Sequence, residues 1–171
     1  GGSRVSQTGG TLQDVFNPST GEVSGQVRLS SSKELDDVVQ VASEAAVAWG
    51  ATPPAKRAQV MYRFKRLLEE NADKIASSIS SEHGKTHDDA LGEVARGLEA
   101  VEFSCGIPHL LKGTFSEQVA TSIDVYSIPQ SLGVVAGITP FNFPAMVPMW
   151  MFPNALACGN AFILKPSERD P

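Results

Sequence analysis

The sequence predicts an α/β protein in which a helical block precedes the first β-α-β unit of a parallel sheet. Two observations indicate this fold. Apolar residues recur at helical spacing from roughly 31 to 111, and two short, wholly apolar runs follow at 132–138 and 161–164. Such runs suit strands that are buried on both faces of a sheet. About twenty residues separate them, which leaves room for the crossover helix that parallel strands require.

The first predicted elements are a hairpin and two helices. Residues 17–22 form a turn-rich segment between two short apolar stretches, which is typical of a β-hairpin. Ser31 and Ser32 offer caps for a first helix, and Gly50 ends it. The proline pair at 53–54 begins the second helix, because proline is tolerated in a first helical turn.

Two further helices complete the block. Asn71 offers a cap for the third helix, which ends near Gly84, and the fourth is predicted to run from about Thr86 to Leu111. The apolar stripes of the four helices are, in order, Leu35, Val38, Val39, Ala42, Ala45, Ala46 and Trp49; Val60, Met61, Phe64, Leu67 and Leu68; Ile75 and Ile79; and Val94, Leu98, Val101 and Cys105.

The remaining segments predict strands. Val119–Ser127 is rich in β-branched residues and predicts one strand. A helix, bent or short, should join the two apolar runs, although Pro148 and Pro153 disfavour an ideal one. Two parallel strands cannot cover their own faces, so the sequence indicates a fragment with an unpaired apolar edge at Ala161–Leu164.

Composition favours an ordinary globular domain. The 171 residues are 42% hydrophobic, and a net charge of −5 disfavours binding to nucleic acid or an anionic membrane. The apolar segment 141–164 is broken by prolines, a glycine and an asparagine, so we expect a buried core segment and no membrane span. Without a signal peptide we expect a cytoplasmic protein, or a mitochondrial matrix protein in a eukaryote. Gly1 to Ser3 lack an initiator Met and are interpreted as a tag remnant, a processed end or a truncation.

Polar residues follow both apolar runs where each predicted strand ends. Asn142 lies just after the first run, and Lys165 and Glu168 lie after the second. Because ligands of open α/β sheets bind beyond the carboxyl ends of the strands, we expect these side chains to converge on one ligand. The glycine spacing does not match the GxGxxG dinucleotide fingerprint.

These motifs resemble those of the aldehyde dehydrogenase superfamily, and the resemblance is closest to the methylmalonate-semialdehyde dehydrogenase family. It covers nearly the whole chain from about Val15 and is closest from Ser131 onward. The residues that carry it are Asn17-Pro18, Glu82–Thr86, Glu93–Glu102, Pro140-Phe141-Asn142-Phe143-Pro144, Met151-Phe152-Pro153 and Lys165-Pro166-Ser167-Glu168-Arg169.

The resemblance implies an aldehyde dehydrogenase-like fold whose Rossmann-like sheet is incomplete here. Residues 1–117 would form a hairpin and the helical block of a NAD-binding domain. Residues 118–131 would contribute a strand of an oligomerisation hairpin, and 132–171 would start the sheet. The full-length protein would then be a homo-oligomer, a dimer or a tetramer.

The implied reaction is the oxidation of a small-molecule semialdehyde with NAD as cofactor and coenzyme A as co-substrate. A cysteine thiolate attacks the aldehyde, and hydride leaves to the nicotinamide. The resulting thioester passes to coenzyme A with loss of carbon dioxide, giving propionyl-CoA or acetyl-CoA in valine, pyrimidine or inositol catabolism. Two alternatives remain open. One is a general aldehyde dehydrogenase that hydrolyses its thioester, and the other is a non-catalytic partner of full-length subunits.

By the same resemblance, Asn142 would donate a hydrogen bond to the oxyanion of the first step. Its alternative is a turn residue that caps the following helix. The implied cofactor residues are Thr139 and Phe141 through their backbone, Lys165 and Glu168 at the adenosine ribose, and Arg169 beside the nucleotide. The alternative for the three charged residues is a solvated loop.

Arg96 is a candidate for binding the substrate carboxylate, because a guanidinium pairs well with carboxylates. It lies off the apolar stripe of the fourth helix, and its alternative is an ion pair with Glu93 or Glu99.

No nucleophile and no metal site are predicted in this chain. Cys105 and Cys158 suit core positions, and the family nucleophile would lie beyond Pro171. His83 and His87 are separated by a helix-breaking glycine, and no further ligand is evident. We therefore expect the 171-residue chain by itself to be inactive.

Overall fold

The computed structural model describes residues 10–171, so the interpretation of Gly1 to Ser3 lies outside the described residues. The elements are β1 (Leu12–Phe16), β2 (Val23–Arg28), α1 (Ser32–Gly50), α2 (Pro54–Glu70), α3 (Ala72–His83), α4 (His87–Cys105), α5 (Ile107–Leu110), β3 (Phe115–Ala120), β4 (Ile123–Tyr126), β5 (Val134–Ile138), α6 (Met146–Ala157) and β6 (Ala161–Lys165). No helix in this range is long and apolar enough to cross a membrane.

The N-terminal hairpin, the cap of α1 and the start of α4 near Thr86 follow local sequence signals as predicted. β1 and β2 pair antiparallel across the predicted turn. Ser31 caps α1 in a capping box, in which its hydroxyl accepts from the Glu34 N–H and the Glu34 carboxylate accepts from the Ser31 N–H. The Thr86 hydroxyl caps α4, and Gly84 ends α3 with a φ of +84°, a left-handed conformation that glycine adopts without strain.

Two details of the helical block differ from the prediction. Asn71 does not cap α3, because its side-chain amide donates back to the Leu67 carbonyl of the preceding helix. The predicted fourth helix is two helices, since α4 ends at Cys105 and α5 follows Gly106. Pro108 explains the break, because it has no N–H with which to continue the α4 hydrogen-bond ladder.

The single strand predicted at Val119–Ser127 is wrong, because this region folds as the β3–β4 hairpin. The hairpin turns at Thr121-Ser122, and Ser122 has a φ of +59°. A polar pair inside a β-branched run therefore acts as a turn. The hairpin begins at Phe115, so the predicted boundary at 117/118 cuts through its first strand. Every residue of both strands is exposed.

β5 and β6 form the predicted parallel pair, with α6 as the crossover helix and Pro153 inside it. α1 and α6 both pack against this pair. The expectation that the strands are buried on both faces is wrong within the described residues, since Ile138 is 77% exposed and Leu164 is 40% exposed. The reason is that the sheet in residues 10–171 has two strands, so β5 and β6 each have a paired neighbour on one side only.

The core is centred on α4, which packs against α2, α3 and α6. Its predicted stripe is inside, with Val94, Val101 and Cys105 buried. The stripe of α1 behaves differently, because Ala46 is its one buried member in the described chain and Val38 remains exposed. Four members of the stripe instead line an apolar groove of about 980 Å³ beside β6, namely Val38, Ala42, Ala45 and Trp49.

Candidate functional site

The carboxyl ends of β5 and β6 lie side by side. The Thr139 N–H donates to the Lys165 carbonyl at 3.1 Å, one residue beyond the end of β5. Thr139 is buried. The two loops that carry the predicted site residues therefore start from one point, as the sequence predicted.

Lys165 and Glu168 form an ion pair in the loop after β6. Their side chains are 2.9 Å apart and are 57% and 39% exposed, so both are open to a ligand. The hydrogen bond from Lys165 holds the pKa of Glu168 below its ordinary value. The loop thus presents ammonium donors and a charged carboxylate acceptor together, a combination suited to sugar hydroxyls.

Phe141 and Arg169 connect the two loops. The Arg169 guanidinium carbon lies 5.0 Å from the centre of the Phe141 ring, a cation–π contact. Both residues border a cavity of about 510 Å³ that also reaches Asp170. Burial, and then the proximity of Glu82, raise the pKa of Asp170 to about 7. Sequence reasoning did not single out Asp170.

The backbone of Asn142 is held by a hydrogen bond, whereas its side chain forms none with residues 10–171. Its carbonyl accepts a hydrogen bond of 2.7 Å from Lys85 Nζ, and its side chain is exposed. Within residues 10–171, no hydrogen bond to the Asn142 amide group is formed. The alternative in which Asn142 caps the next helix is wrong, because Ala145 occupies the N-cap position of α6.

Lys85 and Glu93 were missed as site residues by sequence reasoning. Glu93 is fully buried, and Lys85 Nζ lies 2.5 Å from its Oε2 atom. The other carboxylate oxygen accepts the N–H groups of Ala145 at 2.9 Å and Met146 at 3.1 Å. One signal was available in the sequence. Glu93 lies four residues before Gly97, so both residues lie on one face of α4. A glycine within a helix indicates that a neighbouring helix packs closely against that face.

Arg96 lies on the exposed side of α4, close to the Asn142 loop. Its guanidinium carbon is 5.8 Å from the centre of the Phe143 ring, and its Nε is 3.4 Å from the sulfur of Met146. The alternative of an ion pair with Glu93 or Glu99 is wrong, since no such pair is found in the described chain and Glu93 is occupied by Lys85. The charge of Arg96 therefore remains open to an external carboxylate.

The two cysteines do not contribute a nucleophile to this site. Cys105 is buried, and burial raises the pKa of its thiol, which disfavours the thiolate. Cys158 follows the C-terminal end of α6, whereas Asn142 precedes the N-terminal end, and a helix of 12 residues separates the ends by about 18 Å. Among residues 10–171 no group of His, Cys, Asp or Glu could hold a metal ion.

Comparison with known proteins identifies relatives along nearly the whole chain. The aldehyde dehydrogenase family profile matches residues 5–171. Malonate-semialdehyde dehydrogenase of Pseudomonas aeruginosa is 60% identical over 162 residues, which cover 95% of this chain and 33% of the relative. The acylating, mitochondrial methylmalonate-semialdehyde dehydrogenase of Arabidopsis thaliana is 48% identical over 171 residues, which cover 100% of this chain and 28% of that protein.

A solved structure gives the same comparison in three dimensions. It is of a protein from Sinorhizobium meliloti 1021, provisionally named methylmalonate-semialdehyde dehydrogenase, complexed with NAD. It superimposes with a TM-score of 0.95 at 55% identity, over 99% of this chain and 34% of its own. The chain thus spans about a third of the length of the relatives it matches.

Proposed function

This chain belongs to the aldehyde dehydrogenase family, and from that premise we propose that it is the N-terminal portion of a NAD-dependent methylmalonate- or malonate-semialdehyde dehydrogenase. The names of its relatives support the substrate class. The enzyme would oxidise a semialdehyde that carries a carboxylate and pass the acyl group to coenzyme A, with loss of carbon dioxide. The acylating Arabidopsis thaliana relative supports this transfer step.

The observation that carries the proposal is that the Asn142 side-chain amide and the Arg96 guanidinium lie in one neighbourhood, and within residues 10–171 neither one is paired with an acidic or amide side chain. Asn142 presents an unpaired side-chain amide, and Arg96 approaches the adjacent residue, Phe143. A semialdehyde of this class has a carbonyl oxygen at one end and a carboxylate at the other. A neutral donor and a guanidinium in one neighbourhood match these two groups.

In the mechanism, Asn142 acts on the aldehyde oxygen. Its amide N–H would donate to this oxygen as negative charge develops there, an interaction whose loss typically costs about 3 to 4 kcal/mol. Arg96 would hold the carboxylate and so orient the carbonyl.

The residues at the strand ends fit a dinucleotide. Lys165 and Glu168 are exposed at the end of β6 and would hold the adenosine ribose hydroxyls, with Arg169 and the backbone of Thr139 and Phe141 beside the nucleotide. NAD, when bound, supplies the hydride acceptor. The NAD complex of the Sinorhizobium meliloti structure supports this cofactor.

The first test separates the oxyanion role from cofactor binding. In the full-length protein, Asn142→Ala should lower kcat about 100-fold or more and leave NAD affinity nearly intact. Lys165→Ala should instead weaken NAD binding in a titration. Gln130→Ala removes an exposed amide before the start of β5 and should change neither quantity. Loss of NAD binding in Asn142→Ala with unchanged single-turnover chemistry would contradict the assignment.

We further propose that residues 1–171 alone do not oxidise aldehydes. Neither cysteine suits a nucleophile, and the pyrophosphate of the cofactor would need a helix N-terminus after a later strand. Purified 171-residue chain, incubated with NAD, coenzyme A and methylmalonate semialdehyde, should form no NADH. Steady NADH formation, with full-length contaminant excluded by intact mass spectrometry, would overturn this part of the proposal.

Two alternative functions of the protein have separate tests. A hydrolytic aldehyde dehydrogenase would release a free acid at a rate independent of coenzyme A.

A non-catalytic association partner is favoured by one observation, the fully exposed β3–β4 hairpin with Phe115, Val125 and Tyr126 at its surface. Whether the reading frame continues past Pro171 decides between partner and enzyme. In the enzyme we propose that this hairpin joins subunits of a dimer or tetramer.

A further inference from the structure

Helix α6 begins without a cap of its own. The N-cap residue, Ala145, has no side chain that could accept a hydrogen bond. Glu93 supplies the missing acceptor from α4, because one carboxylate oxygen accepts from both Ala145 N–H and Met146 N–H. A carboxylate at this position also interacts favourably with the helix dipole. The start of α6 is therefore fixed by a residue more than fifty positions earlier in the chain.

Lys85 extends the same contact to the loop before α6. Its ammonium lies 2.5 Å from Glu93 Oε2 and 2.7 Å from the Asn142 carbonyl oxygen, and it stands 4.0 Å from the centre of the Phe143 ring. Glu93 has no exposed surface and the Lys85 side chain is 13% exposed, so removal of the Lys85 ammonium would leave a fully buried carboxylate without its ion-pair partner. Lys85 therefore holds the loop backbone at Asn142, in the middle of the loop, and Glu93 holds it at Ala145, where the loop ends.

We propose that Lys85 and Glu93 are positioning residues for Asn142, because they fix the backbone from which its side-chain amide projects. The inference rests on the proposed function, in which that amide stabilises an oxyanion. Neither residue touches the substrate in this scheme. Their effect on the reaction comes only through Asn142, and preorganised donors are effective because they need no reorientation during the reaction.

The test compares variants in two backgrounds of the full-length protein. Lys85→Met keeps the aliphatic stem and removes the ammonium. With Asn142 present it should lower kcat about 10- to 100-fold, as expected when a reacting group is misplaced by about 1 Å. In the Asn142→Ala background it should lower kcat less than about twofold, because no amide remains to be positioned. The KM for NAD should stay unchanged in both.

Glu93→Gln provides the isosteric second variant. It keeps the volume and one acceptor for the α6 N–H groups but faces Lys85 with an amide, so it should show the same dependence on Asn142. Lys74→Met removes an exposed lysine of α3 and serves as the control with unchanged kcat. Circular dichroism checks the fold of each variant.

The outcomes separate the two hypotheses. If Asn142→Ala itself leaves kcat unchanged, the proposed function fails. If Asn142→Ala lowers kcat but Lys85→Met lowers it by an equal factor in both backgrounds, the positioning inference fails and the proposed function stands. Loss of the fold in Glu93→Gln would likewise overturn the inference in favour of a purely structural pair.

Discussion

Gly97 of α4 lies directly against Met149 of α6. A β-carbon at position 97 would collide with Met149 Cε and lie 3.3 Å from Met149 Cβ, so an alanine there would force the Met149 side chain to move. The contact joins the helix that carries Glu93 and Arg96 to the helix that follows the Asn142 loop.

Gly97→Ala should destabilise the protein although alanine is the better helix former. The gain in helix propensity is about 1 kcal/mol, whereas overpacking a buried contact costs about 1 to 3 kcal/mol. Gly92→Ala is the matched control in the same helix, since its β-carbon would meet nothing closer than 3.8 Å, and it should stabilise by up to about 1 kcal/mol. Urea unfolding of both variants provides the comparison. Equal stabilisation by the two would show that Met149 yields without cost.

In the full-length protein, Arg96→Ala should raise the KM for a substrate that bears a carboxylate and leave the KM for other aldehydes nearly unchanged. A semialdehyde that bears a carboxylate loses a charge-assisted pair, worth about 1.5 to 3 kcal/mol, and its KM should rise by about 10- to 100-fold. Propionaldehyde has no carboxylate, so its KM should change little. Steady-state kinetics with both substrates, and with the exposed Arg66→Ala as control, make the measurement. An equal rise for both substrates would assign Arg96 a structural role.

Arg57→Met should lower the free energy of unfolding by about 2 to 4 kcal/mol. Arg57 is 4% exposed, and its guanidinium donates to the carbonyls of Ala157, Gly50 and Thr52. Its removal leaves the buried Ala157 carbonyl and the half-buried Gly50 and Thr52 carbonyls without this donor, and an unsatisfied buried polar group costs about 1 to 3 kcal/mol. The control Arg66→Met, on the exposed side of the same helix, should stay within about 0.5 kcal/mol. Denaturation curves that coincide for the two variants would contradict this role.

Glu34→Gln should destabilise at neutral pH and much less in acid. The hydrogen bond from Arg28, followed by those from Ser31, lowers the pKa of Glu34 from 4.5 to about 2. A carboxyl whose pKa is lower in the folded state stabilises above its unfolded pKa, and this contribution is lost as pH falls from about 4.5 toward about 2. The Tm difference between wild type and variant should therefore shrink between about pH 5 and pH 3. A difference that stays constant over this range would contradict the linkage.

The sequence by itself determined the local elements and the strand ends. The helix start at Ser31 and the helix end near Gly84 followed from signals within a few residues. The parallel pairing of the two apolar runs followed from their apolar character and from a separation that fits a crossover helix. Such signals act over one or two turns, so they are visible without the fold. The same reasoning failed at Val119–Ser127, where two polar residues turn the chain inside a strand-like composition.

Only the tertiary structure decided how the candidate site is held together. The spacing from Gly97 indicates only the side of α4 on which Glu93 lies, and its burial follows from packing α4 against α6. Glu93 and its backbone partner Ala145 are 52 residues apart in the chain, and Lys85 and Asn142 are 57 residues apart. The free charge of Arg96 was decided in the same way, since Lys85 occupies Glu93. Pairings at such separations depend on the relative placement of whole helices, which no local spacing encodes.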